Sequence, residues 1–143
     1  MVLVRDGRFT KDETVFAPIE DAGATRIDVP GDLDHAVLES RLRELRAVRV
    51  AVPGFADGRA FSLAARLRAM GFEGTLRAAG PLLADQYPLA LRAGFDEVEI
   101  DDDHAARIPE EQWREARDRT AFDYRARLQG LATPGLAAPA RAA

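Results

Sequence analysis

The sequence predicts an α/β fold, with a small parallel sheet around a βαβαβ core that is either Rossmann-like or half-barrel-like. Two observations support this prediction. Apolar runs typical of strands begin near residues 48, 75 and 95, and an amphipathic helical pattern lies between each pair. Glycine and proline residues separate these segments, as at Pro53-Gly54 and Gly80-Pro81. Strands that alternate with helices in this order are parallel and joined by right-handed crossovers.

The core is predicted to contain three strands and two helices. The strands are Val48–Val52, Thr75–Ala78 and Phe95–Ile100, and the helices are Arg59–Met70 and Pro81–Arg92. Gly71 ends the first helix, and Gly94 follows the second. Pro88 falls inside the second helix and is expected to kink or shorten it.

The flanking segments extend this core. Residues 1–30 are predicted to be β-rich, with strands at Val2–Val4, Thr14–Ala17 and Thr25–Val29 and a turn at Asp6-Gly7-Arg8. Asp32 is expected to cap a helix with apolar positions at Leu33, Val37, Leu38, Leu42 and Leu45. A charged helix is predicted over Glu110–Gln129, with an apolar stripe that includes Trp113, Ala116 and Tyr124. Residues 131–143 are rich in alanine and proline and are predicted to be a disordered tail, which leaves a single domain over residues 1–130.

Composition excludes several classes of function. The formal net charge of −4 and the pI of about 5.2 argue against nonspecific binding to nucleic acid, which requires a basic face. The absence of cysteine removes thiol catalysis, thiolate metal sites and disulfides. The N-terminal residues lack the features of a signal peptide, and no apolar stretch is long enough to span a membrane, so we expect a cytoplasmic protein.

Three segments are expected at the edge where open parallel sheets bind ligands, beyond the carboxyl ends of the strands. They are Gly54–Ser62, Ala79–Pro81 and Asp101–His104. This topology indicates a place for a site and leaves its chemistry open.

The first segment carries the most candidate groups. Asp57 is placed to cap the following helix, and Gly58 permits close approach of the backbone. Arg59 stands at a helix start, where the macrodipole disfavours a cation, so we expect it to pair with an anion. That anion is either a ligand or a carboxylate such as Asp57 or Asp85.

The second segment offers a possible anion site. Arg77 lies late in a central strand, where an arginine must be paired or must reach an edge. Gly80 precedes a predicted helix whose free N–H groups could hold a phosphate, sulfite or carboxylate. Asp85 and Gln86 lie one turn further and could face the same edge, and Asp57 with Asp85 could form an acid–base pair. The alternative is that Gly80 makes an ordinary turn and that Asp85 and Gln86 bond to the neighbouring loop.

Metal and cofactor sites are not predicted. Asp101–His104 lacks the spacing of a calcium loop and is expected to be a solvated loop that caps the last helix. His35 is expected on a helix surface, and no nucleophilic triad is predicted. The glycine spacing of a P-loop or of a dinucleotide fingerprint is missing.

Several motifs together resemble one bacterial family. They are the loop Pro53-Gly54-Phe55-Ala56-Asp57-Gly58-Arg59-Ala60-Phe61-Ser62, the strand region Gly71–Gly80, the pair Asp85-Gln86 and the segment Arg92–Glu99. In this order and spacing they resemble the family called domain of unknown function 934, closely over residues 45–100. The resemblance adds Phe55 and Ser62, from the shared loop, to the ligand-binding candidates.

The resemblance implies a pathway. Such proteins are encoded beside assimilatory sulfite reductase and are often labelled as probable oxidoreductases of sulfite reduction. Many relatives have a cysteine where this chain has Ala93, so thiol chemistry cannot be required there. The first hypothesis is therefore a non-catalytic accessory protein that binds sulfite reductase or an associated redox protein. The alternatives are a small-anion-binding enzyme or oxidoreductase of sulfite metabolism, and a structural α/β domain with no ligand.

Overall fold

Seven strands form one mixed sheet in the computed structural model of the chain, which describes residues 1–54 and 58–119. In chain order they are β1 (Val2–Arg5), β2 (Arg8–Thr10), β3 (Ala17–Pro18), β4 (Arg26–Val29), β5 (Ala47–Ala51), β6 (Thr75–Ala79) and β7 (Glu97–Ile100). Their order across the sheet is β2-β1-β7-β6-β5-β4-β3. Strands β3 to β7 run parallel to one another, whereas β1 pairs antiparallel with both β7 and β2.

The predicted α/β class with a βαβαβ core is confirmed. Strands β5, β6 and β7 are parallel neighbours, with the helices α1 (Arg59–Ala69) and α2 (Tyr87–Ala93) between them along the chain. The parallel strands follow chain order without reversal, whereas a Rossmann-like sheet reverses its order at a switch point. This consecutive order matches the half-barrel-like alternative.

The remaining helical segments are short. They are the 3-10 helices His35–Leu38 and Ala84–Gln86, the helix α3 (Asp102–Arg107), and residues 110–119, which are helical to the end of the described range. The long helix predicted over Glu110–Gln129 is therefore seen in its first part. Its continuation and the tail predicted to be disordered lie outside the described residues.

The single helix predicted after residue 32 is wrong. The structure has the 3-10 helix His35–Leu38, capped by the Asp34 side chain, and then a series of turns. The guanidinium of Arg41 donates to the carbonyl oxygens of Ile19 (2.7 Å) and Asp21 (2.8 Å), which ties these turns to the preceding loop. Such tertiary contacts outweigh the weak helical preference of the apolar pattern.

The second core helix begins later than predicted. Irregular residues and the 3-10 helix Ala84–Gln86 precede α2, so the predicted start at Pro81 is wrong. Pro88 lies in the first turn of α2, where its missing N–H leaves no intrahelical bond unmade. The proline therefore lies at the beginning of a shortened helix, which is one of the two outcomes expected from it.

The N-terminal strands also differ from the prediction. Asp6 and Gly7 have positive φ angles of 53° and 72°, and they make a tight hairpin turn between β1 and β2. Of the predicted strand Thr14–Ala17, only Ala17 belongs to a strand, together with Pro18. Residues 11–16, which we call the strap, connect β2 to β3.

One face of the sheet is apolar and carries the core. Its side chains include Val4, Ile27, Val48, Val50, Leu76, Ala78 and Val98, all fully buried. Leu63 and Leu67 of α1, Tyr87 of α2 and Trp113 belong to the same hydrophobic cluster. The helices therefore cover this face and leave the opposite face to the strap.

The short strap requires the sheet to be curved. The strap connects β2 and β3, the two edge strands of the seven-stranded sheet. Six inter-strand spacings of about 4.8 Å separate these strands, so the distance between them along the sheet is roughly 29 Å. The seven residue steps from Thr10 to Ala17 reach at most about 25 Å when fully extended. The face that the strap crosses is therefore concave, as in part of a barrel.

No helix within residues 1–54 and 58–119 is both long enough and apolar enough to cross a membrane.

Candidate functional site

A row of charged residues of both signs crosses the concave face of the sheet. The strand register aligns Asp28 of β4, Arg49 of β5, Arg77 of β6, Glu97 of β7 and Arg5 of β1. Successive side chains of a strand point to opposite faces, so all five project away from the apolar core. Neighbours along this row have opposite charge except for Arg49 and Arg77, and Glu99 of β7 pairs with both of these guanidinium groups.

Arg77 is the centre of this row and is only 2% exposed. Its Nε donates to Glu97 Oε1 at 3.1 Å, and one Nη donates to Glu99 Oε1 at 2.9 Å. Its other Nη donates to Asp12 Oδ2 at 3.0 Å. The guanidinium is thus held by three carboxylates, and this pairing compensates the cost of burying its charge.

The flanking arginines complete the network. Arg49 pairs with Asp28 through two nitrogens and reaches Glu99 at 3.3 Å, while Arg5 pairs with Glu97 at 2.6 Å. The hydrogen bond to Asp28 raises the pKa of Arg49, and the hydrogen bond to Glu97 raises the pKa of Arg5. Each of the three arginines of the row therefore has a carboxylate at hydrogen-bond distance.

The strap lies on this network through two side chains. Asp12 contacts Arg77, and its other oxygen accepts hydrogen bonds from the Thr14 backbone N–H (2.7 Å) and the Thr14 hydroxyl. These Thr14 bonds, followed by the nearby Arg77, lower the pKa of Asp12 below its ordinary value of 3.8. The ring of Phe16 lies 4.7 Å from the Arg49 Cζ and 4.9 Å from the Arg77 Cζ, so it stacks against both guanidinium groups.

The carboxyl edge of the sheet holds part of the predicted site. Arg59 and Ser62 are exposed in the first turn of α1, directly after Gly58. A carboxylate partner of Arg59 is Asp32, at 3.7 Å, from the loop after β4. This is the carboxylate pairing that the sequence allowed for, with a partner that the sequence did not suggest.

A cavity of about 200 Å³ opens at this edge, between the loop after β4 and α1. Its lining residues are Gly31, Asp32, Leu33, His35, Arg59, Ser62, Leu63 and Arg66. Of the predicted candidates, it brings together Arg59 and Ser62. Phe55 and Asp57 lie outside the described residues.

The anion cradle expected after Gly80 is not formed. The Gly80 N–H donates to the Glu99 carbonyl at 3.1 Å, and the Leu82 N–H donates to the Gly80 carbonyl at 2.9 Å. The next donor, the Leu83 N–H, bonds to Gln86 Oε1 at 3.0 Å. These N–H groups are used within the chain because regular helix starts only later, at Tyr87.

The other predicted residues have local positions. Arg77 lies on the concave face, away from the carboxyl edge, and Gln86 caps the short helix that it belongs to. Asp85 is exposed on the same turn. These residues therefore do not form one group with Arg59 and Ser62.

The Asp101–His104 segment forms a capped helix start. The Asp101 side chain accepts a hydrogen bond from the His104 backbone N–H at 2.6 Å. The His104 ring is buried and contacts the Leu82 carbonyl oxygen, which joins the loops after β6 and β7. Asp101 therefore caps α3, a helix that the sequence did not predict, and not the helix that begins near residue 110 as expected. His104 is buried and is not solvated as predicted. Within the described ranges, no group of three or more His, Cys, Asp or Glu could hold a metal ion.

Sequence reasoning missed the concave network. Its signal was alternation: Arg49 stands between two buried valines, and Glu97 and Glu99 flank the buried Val98. In a strand, such alternation indicates a second face that is polar. No pattern in the sequence indicated that Asp12 and Phe16 contact this network, because these contacts depend on the path of the strap across the sheet.

A larger cavity of about 610 Å³ lies at the opposite edge of the sheet. It is lined by Glu39, Leu42, Arg43, Leu45, Met70, Gly71, Glu73 and Gly74. These residues precede β5 and β6, so the cavity lies at the amino ends of the parallel strands. Parallel sheets place their ligands at the other edge, and we therefore do not assign this cavity a site.

The fold and these contacts define an α/β protein with a curved sheet, helices on one face and a strapped ion-pair network on the other. The chain belongs to the family described as bacterial protein of unknown function (DUF934), whose family model matches residues 27–131. The resemblance drawn from the sequence is thereby confirmed at the level of the family. No curated protein and no solved structure shows significant similarity to the chain.

Proposed function

We propose that this protein is a non-catalytic accessory protein of assimilatory sulfite reduction and that it acts by binding a protein partner. The resemblance to this family supports the choice of pathway, because such proteins are encoded beside assimilatory sulfite reductase. The partner is sulfite reductase or a redox protein associated with it.

The single observation that carries the non-catalytic part is the pairing of Arg77. A buried arginine is the group that an oxyanion site would use, and here its donors face Asp12, Glu97 and Glu99 at 2.9 to 3.1 Å. An incoming anion would have to replace a carboxylate beside two others. The arrangement therefore supports a non-catalytic role for Arg77.

The segment between β6 and β7 supplies the candidate contact surface. Leu83 and Leu89 are large apolar side chains that are 38% and 51% exposed on this segment. Exposed apolar side chains close together in the chain are typical of contact surfaces for other proteins.

Affinity capture tests this proposal. The tagged chain, expressed at native level in cells grown on sulfate, is expected to recover a component of sulfite reduction. Leu89→Arg should lower that recovery, and Val37→Arg, at another exposed position (54% exposed), should not. Recovery of no such component by the unmodified chain would contradict the proposal.

Growth of a deletion strain tests the pathway separately. We expect slower growth on sulfate and normal growth on cysteine. Equal growth on both sources would remove the link to sulfite reduction, whatever the capture experiment finds.

A second candidate function is the binding of a small anion at the carboxyl edge. The specific observation is the cavity of about 200 Å³, in which Arg59, Arg66 and Ser62 lie together. Asp32 pairs with Arg59 there and would compete with a ligand. Calorimetry with sulfite and with sulfate tests this function, and an absence of heat at millimolar ligand would contradict it.

A further inference from the structure

We propose that the concave face is a binding site for a small aromatic monoanion and that the strap occupies this site in the closed protein. Asp12 and Phe16 stand in the places of the ligand's anionic group and ring. The inference goes beyond the accessory role proposed above and does not depend on it.

The contacts of the strap are those that a ligand would make. A carboxylate oxygen of Asp12 lies 3.0 Å from one guanidinium nitrogen of Arg77 and 3.5 Å from Arg5. The Phe16 ring stacks against the guanidinium groups of Arg49 and Arg77. Charge-assisted bonds and arginine stacking are the usual means by which proteins bind aromatic acids.

The strap is attached to the sheet by side chains. Within the described part of the chain, no backbone–backbone hydrogen bond joins residues 11–16 to a strand. Val15 is 83% exposed, so the strap packs weakly outside its two contacts. The bonds from Thr14 to Asp12 are internal and would persist if the strap left the face. A segment held in this way can open without unfolding the sheet.

The charges beneath the strap balance without it. Three arginines (Arg5, Arg49, Arg77) pair with three sheet carboxylates (Asp28, Glu97, Glu99). Removal of Asp12 therefore leaves no uncompensated formal charge on the face. It frees one Arg77 nitrogen as a donor for another anion.

The same charges select the ligand. The space of the Phe16 ring, between Arg49 and Arg77, fits a planar aromatic group. Glu97 and Glu99 also bind Arg77 and would repel a second negative charge. An aromatic monocarboxylate is therefore favoured over a phosphate dianion.

The first test uses 3-phenylpropionate as the probe and calorimetry as the measurement. The Asp12→Ala/Phe16→Ala double variant removes both strap contacts and should bind the probe about tenfold or more tightly than the unmodified chain, because a mostly closed strap lowers the apparent affinity. Val15→Ala is the matched control in the same strap and should leave binding unchanged. The uncharged 3-phenylpropanol should not show the gain. A folded double variant that binds the probe no more tightly would overturn the proposal.

The second test uses the unmodified chain and does not require any variant to fold. Lys11 is the only lysine of the sequence and lies exposed in the strap, so a lysine-specific endoprotease cuts the chain at this position alone. Displacement of the strap by 3-phenylpropionate should make cleavage at Lys11 faster, because cleavage follows the population of the open segment. Binding elsewhere would leave the cleavage rate unchanged or lower it. A rate that does not rise at millimolar probe would overturn the proposal.

Discussion

Arg77 shows how a charged residue is kept inside this fold. A buried charge is tolerated when carboxylates at hydrogen-bond distance satisfy it, and here Asp12, Glu97 and Glu99 do so. Its partners come from both β7 and the strap, so it connects two parts of the chain that are distant in sequence. Loss of the β7 carboxylates would leave the charge of Arg77 without its partners in the sheet, whereas loss of Asp12 would free one guanidinium nitrogen.

Substitution of Arg77 is predicted to destabilise the protein strongly. Arg77→Met keeps most of the side-chain volume but leaves Glu97 and Glu99 buried beside each other, at a cost of about 3–5 kcal/mol in the free energy of unfolding. Chemical denaturation measures this difference. Arg66→Met, at an exposed position on α1, is the control and should change stability by about 0.5 kcal/mol or less. Equal effects of the two substitutions would contradict the role given to the network.

The lowered pKa of Asp12 predicts how the free energy of unfolding depends on pH. Hydrogen bonds from Thr14, and then Arg77, hold the pKa of Asp12 below 3.8 in the folded chain. Because the pKa of Asp12 is lower in the folded chain than in the unfolded chain, its ionised carboxylate stabilises the fold at pH values above the pKa of the unfolded chain. This contribution is lost as the pH falls through the folded pKa.

Asp12→Asn should therefore be less stable than the unmodified chain near neutral pH and should approach it in acid. Thermal unfolding measured from neutral pH down to the acid limit of folding checks this. Glu13→Gln is the neighbouring control, since Glu13 is exposed and is expected to keep the unmodified profile. A constant difference between Asp12→Asn and the unmodified chain at all pH values would be inconsistent with the assignment.

At the scale of elements, the ends of β5 and β6 meet at Gly80. A Cβ at Gly80 would overlap the carbonyl oxygen of Val52, and the Val52 N–H donates to the Ala79 carbonyl at 2.8 Å. This close approach sets where the loops after the two strands begin. Glycine is required there for space, which is a different role from the anion binding suggested by its position before a helix.

Gly80→Ala is predicted to destabilise the protein by about 1–3 kcal/mol, because the backbone at Val52 must move to admit the methyl group. Gly54→Ala is the matched control, since a Cβ at Gly54 would have no atom within 4 Å and its φ is not positive. That control should change stability by less than about 1 kcal/mol. Denaturant titration of both variants distinguishes them, and a neutral Gly80→Ala would show that the loops are less constrained than the contacts indicate.

The elements that the sequence predicted well are those with local signals. Strands β5 and β6 end close to proline or glycine, β7 follows closely after Gly94, and α1 has an apolar stripe, so their positions agree with the prediction within a few residues. The segment after residue 32 has a similar stripe but is held as turns by Arg41. A distant contact of this kind leaves no periodic pattern in the sequence.

The candidate site was predictable in part for the same reason. Topology placed Arg59 and Ser62 at the carboxyl edge, and alternation in the strands could have indicated the polar face that holds Arg77. The partners of these residues were not predictable. Asp32 and Asp12 lie 27 and 65 positions away in sequence from Arg59 and Arg77, and only the folded chain brings them together.

At the scale of the whole molecule, the helical residues 110–119 close the core against both the hairpin and α2. Trp113 is fully buried, and its ring packs edge-on against Tyr87 with centroids 5.6 Å apart. The Tyr87 hydroxyl in turn accepts a hydrogen bond from the Gly7 N–H at 3.1 Å.

Trp113→Ala is therefore predicted to cost about 3–5 kcal/mol in the free energy of unfolding, since it opens a large cavity where three parts of the chain meet. Glu111→Ala, on the exposed side of the same helix, should cost about 0.5 kcal/mol or less. Denaturation followed by far-ultraviolet circular dichroism measures both variants, and a mild effect of Trp113→Ala would mean that the sheet and its helices fold independently of this segment.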